Sequence, residues 1–245
     1  MNATLQFLMN TESLTKYLLK ESNFTTIMNN CNLYELTSGY CQVLSNCYKE
    51  NIKCYNPKKF KEIISEKNQL FSGTQENDSK NLIDFILEEL NNELKQLEFK
   101  KSSNDNINFN QNYSNIDLSN KEQSMNYFKL MTQKQDKSII SKNFFLLNEN
   151  IKKCLFCNDI KYNYQMKSNL EFDLQAVYDF SNKNKNIQTS QRRKIDLYMC
   201  FSQYFEPNYF KGNKQIFCSN CKKLENGLYY NKIYSLPPIL IFSIQ

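Results

Sequence analysis

Two short cysteine pairs constrain this 245-residue chain more than any other feature: CLFC at Cys154 and Cys157, and CSNC at Cys218 and Cys221. A Cys-x-x-Cys turn holds two sulfurs on one side of a tight hairpin. Two such hairpins facing each other supply the four thiolates of a tetrahedral Zn2+ site. Sixty residues separate Cys157 from Cys218, far more than a compact zinc ribbon uses, so the intervening segment has to loop out and return. Zinc would close that loop and contribute about 10 kcal/mol or more to folding, by comparison with structural zinc in finger peptides. Lys152, Lys153, Lys222 and Lys223 flank the pairs, and their charge offsets that of a four-thiolate centre. Two other readings stand beside this one: four reduced, unliganded cysteines, or a redox Cys-x-x-Cys, although neither pair opens an obvious helix after a strand.

The other five of the nine cysteines, Cys31, Cys41, Cys47, Cys54 and Cys200, form no second set and read as buried small hydrophobes. The first residues lack a basic segment, and no apolar run approaches the roughly 20 residues of a membrane helix. A cytosolic or nuclear protein with no membrane partner is therefore expected, where thiols and metal ligands outnumber disulfides. The net charge of +6 raises the question of nucleic acid. The lysines are scattered singly, however, and the one tight basic run is Arg192, Arg193 and Lys194, so no nucleic-acid partner is expected. The chain contains no histidine, and a mechanism that needs an imidazole base cannot be completed by these residues alone.

The apolar periodicity divides the chain into helices first and strands second, an α+β class. Residues 1–20 fit an amphipathic helix through Leu5, Leu8, Met9, Leu14, Leu18 and Leu19, and a second covers about 32–48. Another starts near Pro57 with Phe60, Ile63 and Ile64 inside. The clearest helix follows Gly73, with Leu82, Ile83, Phe85, Ile86, Leu90, Leu94 and Leu97 on one face and Asp78 or Ser79 as its N-cap. Residues 100–124 are rich in Asn and Ser and read as a disordered insertion. From about 138 the segments SIISKNFFLL, YNYQM, LEFDLQAVY, QIFC, LYYNKIYSL and PPILIFSI read as strands, with a helix expected within TSQRRKIDLYMCFSQYF.

The order of these motifs resembles the ubiquitin-specific protease family, the ubiquitin carboxyl-terminal hydrolases of cysteine type. NPKKFKEIISEKNQLFSGTQENDSKNLIDFILEELNNEL resembles that family's run from an Asn-Pro-x-x-Phe helix through Gly-x-Gln-Gln-x-Asp to a leucine-rich helix. SIISKNFFLLNENIKKCLFC and FKGNKQIFCSNC resemble the segments that carry its two zinc pairs, and LPPILIF its Leu-Pro-x-Ile-Leu strand. The resemblance implies papain-like thumb helices followed by antiparallel zinc-binding fingers, with the palm truncated. It assigns a thumb part to 1–99, the insertion to 100–124, and fingers with a first palm strand to 125–245.

It also implies ubiquitin or ubiquitinated proteins as partners. Asp78 matches the family aspartate that contacts the ubiquitin tail, and Glu76 stands in place of the second Gln; Asn81 replaces the glutamate usual three residues after the aspartate. MNATLQ matches a family segment reading Asn-Thr-Cys-Tyr-Met-Asn-Ala-x-Leu-Gln, so Met1 falls two places after the nucleophilic cysteine. No catalytic residue is therefore assigned in this chain. The expectation is the partial catalytic domain of a cysteine-type deubiquitinase, inactive alone. The alternatives are a non-catalytic ubiquitin-binding pseudo-protease or a zinc-ribbon protein binding nucleic acid.

Overall fold

A computed structural model describes residues 1–49, 54–101, 119–133, 138–183 and 194–245. Ten α-helices and eight strands are formed among the described residues. The helices are α1 Asn2–Met9, α2 Glu12–Leu19, α3 Glu21–Asn29, α4 Glu35–Tyr48, α5 Lys58–Lys67, α6 Ser79–Lys101, α7 Lys121–Gln133, α8 Ile139–Phe144, α9 Leu174–Lys183 and α10 Leu197–Tyr204. The strands are β1 Leu146–Cys154, β2 Ile160–Lys167, β3 Leu170–Phe172, β4 Asn208–Phe210, β5 Ile216–Cys218, β6 Lys223–Glu225, β7 Gly227–Ser235 and β8 Phe242–Ile244. No described helix is long and apolar enough to cross a membrane. The chain divides into two compact units, one of Met1–Asn108 with Gln133–Asn143, the other of Phe109–Thr132 with Phe144–Gln245.

The first unit is helical and built around α4, which packs against α2, α3, α5 and α6. Leu36, Tyr40, Cys41 and Leu44 of α4 are fully buried, as are Phe60 and Ile64 of α5 and Ile86, Leu90 and Leu94 of α6. No side chain on α4 itself caps its N-terminus. Glu93 of α6 does this from outside: its carboxylate accepts the N–H of Leu36 at 3.0 Å, the N–H of Thr37 at 2.8 Å and the Thr37 hydroxyl at 2.7 Å. A buried carboxylate is tolerated there because it meets orphan donors at the positive end of a helix dipole. Lys67 adds a cation, with its ammonium 3.3 Å from Glu35 and 3.5 Å from both Glu89 and Glu93. Burial alone would lower the Lys67 pKa, but the bond to Glu35 and the charges of Glu93 and Glu89 outweigh it and hold the group above its usual value.

The second unit is built on an antiparallel sheet of order β2-β1-β7-β4. A short parallel pair, β3 with β8, and an antiparallel hairpin, β5 with β6, complete its strands. One apolar cluster gathers Leu146, Leu170, Phe172, Val177 and Cys200, with Ile233, Met199 and Phe201 against it. The middle of β1 is polar, and Glu149 is only 2% exposed. It accepts the Tyr164 hydroxyl at 2.7 Å and faces the Lys121 ammonium at 2.8 Å. That pair, with the Ser124 hydroxyl donated to the Tyr162 carbonyl at 2.8 Å, seats α7 on the sheet.

Several expectations from the sequence change. The helix read over 1–20 is two, and α3 follows them. At the break the Asn10 side chain and the Thr11 hydroxyl donate to the carbonyls of Gln6 and Phe7, and Thr15 donates to that of Met9, the local competition by which short polar side chains end helices. SIISKNFFLL begins as α8, because the Ser138 hydroxyl accepts the N–H groups of Ile140 and Ser141, and becomes strand only from Leu146. LEFDLQAVY is strand only to Phe172, since Asp173 caps α9 through the N–H groups of Gln175 and Ala176. PPILIFSI is strand only over Phe242–Ile244. In the Asn-rich stretch, residues 102–118 lie outside the described set, whereas Lys121 onward is helical.

Replacing Glu93 by Ala leaves two N–H groups and a hydroxyl buried without acceptors and Lys67 short of one carboxylate. A destabilisation of about 3–5 kcal/mol is expected, with Glu93→Gln losing less, as read by urea unfolding of the two variants.

Candidate metal centre and acidic loop

The end of β1, the turn after it, and the β5–β6 hairpin bring Cys154, Cys157, Cys218 and Cys221 together, with all four sulfurs within 4.8 Å of one another. Cys154 Sγ lies 4.0 Å from Cys221 Sγ, and Cys157 Sγ lies 3.6 Å from Cys218 Sγ. Zinc–sulfur bonds of about 2.3 Å in a tetrahedron require sulfur separations of about 3.8 Å, so the donor set fits a Zn2+ ion in both number and spacing. No disulfide joins any of the nine cysteines.

The backbone of the two pairs is matched. The residue after the second cysteine of each, Asn158 and Lys222, has φ of 60° and 55°, the only non-glycine residues with positive φ among those described. That conformation costs energy for an L side chain, and its recurrence at equivalent places marks a shared turn that points both sulfurs inward. The first turn is closed by the Cys154 N–H donated to the Asp159 carbonyl, and it is tied to the β6–β7 connection by the Leu155 N–H donated to Asn226, each at 2.9 Å. In the second turn the Cys221 N–H points at Cys218 Sγ, 3.4 Å away.

Gly227 faces Cys154 across β1–β7 and Phe210 across β7–β4. A Cβ there would come within 2.2 Å of the Ile216 side chain on β5, so only glycine lets the β5–β6 hairpin lie this close to the sheet.

The four thiols are not equivalent. The Asp159 backbone N–H, followed by the Asn220 side chain, pulls Cys157 down to about 6. Desolvation pushes Cys154 and Cys221 above the ordinary thiol value. Cys157 thus favours the thiolate, and Zn2+ binding would release protons from Cys154 and Cys221. Of the flanking lysines, Lys223 pairs with Glu225 at 3.0 Å and lies 5.0 Å from the centre of the Phe156 ring. Phe156, at the tip of the first turn, is 70% exposed. Of the cysteines read as buried hydrophobes, Cys41 and Cys200 are buried, Cys47 is half-buried, and Cys31 and Cys54 are exposed.

Glu76 and Asp78 lie in the first unit on an exposed loop, residues 72–78, that leads into α6. Asp78 is the N-cap: its carboxylate accepts the Lys80 N–H at 2.8 Å and its carbonyl the Leu82 N–H at 3.3 Å. Arg192 and Arg193 of the basic run lie outside the described residues. Sequence reasoning missed Gly227, whose role depends on a hairpin contact that strand pairing alone does not reveal, and Glu93, which reads as one more polar residue of a long helix.

The family model described as ubiquitin carboxyl-terminal hydrolase matches residues 1–245. Among solved structures, the fold is similar to a chain of the SAGA DUB module Ubp8/Sgf11/Sus1/Sgf73 bound to monoubiquitin, with a TM-score of 0.61 and 15% sequence identity. The alignment covers 100% of this chain and 45% of that one, so this chain spans less than half of the length it matches.

Two outcomes check the centre. The purified chain is expected to carry about one zinc ion by elemental analysis, lost in Cys154→Ser and in Cys218→Ser. Gly227→Ala is expected to cost about 1–3 kcal/mol in thermal unfolding, because Ile216 has to move.

Proposed function

The chain belongs to the ubiquitin carboxyl-terminal hydrolase family, and on that basis we propose that these residues are the ubiquitin-holding part of a cysteine-type deubiquitinase. The observation that carries this reading is the family match across all 245 residues. The four-cysteine cluster and the fold shared with a ubiquitin-bound module support it. In this reading the zinc-held sheet receives the globular body of ubiquitin. The loop carrying Glu76 and Asp78 receives its arginine-bearing C-terminal tail through charge-assisted hydrogen bonds.

The whole protein removes ubiquitin by cleaving the bond after its C-terminal glycine. That chemistry takes a cysteine thiolate, an imidazole that generates it and an oxyanion site. The 245 residues contain no histidine, and none of their nine cysteines matches the family's nucleophile. The chain alone therefore binds ubiquitin without hydrolysing it. A nucleic-acid reading has less support: two lysines near the cysteine cluster, Lys161 and Lys223, are already paired with Asp159 and Glu225.

Calorimetry of the zinc-loaded chain with ubiquitin is expected to show binding that weakens about three- to tenfold in Asp78→Asn at low salt and less at high salt. Asparagine caps a helix as well as aspartate does, so this variant removes the charge and keeps the fold. No release of coumarin from ubiquitin–aminomethylcoumarin is expected from the chain alone. A folded, zinc-loaded chain that ignores ubiquitin and binds RNA in a salt-sensitive manner overturns the proposal.

A further inference from the structure

The acidic loop is fixed at both ends, and its upstream anchor is a lysine. Phe71, the last residue before the loop, is buried, and its ring lies 5.4 Å from that of Phe85 on α6. Its carbonyl is the final backbone acceptor before residues 72–78. It accepts from the Lys61 ammonium and from the Ser65 hydroxyl at 3.1 Å, both on α5. Ser65 also lies 2.8 Å from the Lys61 carbonyl, and a hydroxyl has one proton for two acceptors. The ammonium is therefore the constant donor. Two other lysines of α5, Lys58 and Lys67, form ion pairs with Glu62 and with Glu35, Glu89 and Glu93. Lys61 is committed instead to a backbone oxygen at the root of the loop. Downstream of it Gly73 turns the chain with φ of 75°, and the Asp78 cap fixes the far end.

We infer that Lys61 is a positioning residue: its bond to the Phe71 carbonyl fixes the start of the 72–78 loop, so that Glu76 and Asp78 are presented to the cationic tail of ubiquitin. This inference rests on the reading of that loop as the tail-binding element. It has an unusual sign. As a bare positive charge near the loop, Lys61 would oppose a cationic ligand, and its removal would tighten binding. As a clamp, it favours binding, and its removal loosens it.

The test compares affinities for intact ubiquitin and for ubiquitin trimmed of its C-terminal tail, with the zinc-loaded full chain. The ratio of the two isolates the tail's contribution from the general state of the fold. Lys61→Met is expected to shrink that ratio about five-fold, roughly the worth of one net hydrogen bond, with affinity for trimmed ubiquitin unchanged. Lys61→Arg, which keeps the donor and the charge, is expected to restore it. An unchanged or enlarged ratio in Lys61→Met, alongside a reduced ratio in Asp78→Asn, overturns the clamp and leaves the loop reading standing. Equal losses for intact and trimmed ubiquitin in Lys61→Met mark a merely structural lysine and also overturn it. If Asp78→Asn and Glu76→Gln both leave the ratio unaltered, the loop does not bind the tail, and the inference fails with that reading.

Discussion

Bringing Cys154 and Cys157 to Cys218 and Cys221 across sixty intervening residues is the constraint on which the second unit depends. The sulfurs cannot meet unless β1 ends where it does, the β5–β6 hairpin folds back, and β7 leaves the hairpin through a glycine. Each condition has its own local cause: the paired positive-φ turns at Asn158 and Lys222, the Cys154 and Leu155 N–H bonds, and the close approach of Ile216 to Gly227. A Zn2+ ion of tetrahedral preference bound by the four sulfurs would couple them. Losing any one of the four ligands releases the hairpin, and the folding free energy contributed by the metal goes with it. Bound metal would thus help hold together a unit whose sheet has a polar middle strand. Its apolar cluster lies toward one end, around Leu146 and Phe172, and the metal centre closes the other.

Both units also contain a buried carboxylate, and the two are stabilised differently. Glu93 meets helix N–H groups and a hydroxyl, so its charge replaces the cap that α4 lacks. Glu149 meets an ammonium and a phenol, so its charge is balanced by a helix brought from elsewhere in the chain. A buried ion pair gives little net stability over an apolar equivalent, but removing one partner is severe. Such pairs act chiefly on specificity: Glu93 sets how α6 meets α4, and Glu149 sets where α7 lies on the sheet. The same logic applies on a smaller scale to Lys61, whose charge goes to a carbonyl.

The elements legible in the sequence were those whose signal is local and repeated. The apolar face from Leu82 to Leu97 specified α6, the aromatic and β-branched content of LYYNKIYSL specified β7, and the spacing of the cysteines specified the metal centre. Two of the misread strands share one cause. In SIISKNFFLL and LEFDLQAVY the β-branched and aromatic content reads as strand, but Ser138 and Asp173 each cap a helix inside the run. A single capping side chain outweighs several residues of strand propensity once tertiary packing accepts a helix. Gly227 and Glu93 were illegible for another reason. Their importance comes from what lies opposite them, and nothing in the neighbouring sequence records that Ile216 or the start of α4 will be there.

In the proposed reading, recognition and chemistry separate within these residues. Glu76 and Asp78 are exposed, and exposed charge pairs are worth little in salt, so an acidic loop of this kind cannot by itself supply tight binding. For the proposed partner, affinity would have to come from a broader surface, and the half-exposed tyrosines of the sheet, Tyr162 and Tyr230, with the exposed Tyr209 and Tyr234, offer contact area. On the proposal that the loop meets ubiquitin's tail, its contribution would be orientation, since a carboxylate held at a helix start fixes the line along which a cationic tail lies. Such orientation would require that the loop itself be held, as the bonds to the Phe71 carbonyl hold its start. In the proposed reading, a tail aligned in this way would reach whatever nucleophile and imidazole complete the site, and the residues that hold ubiquitin need not include either.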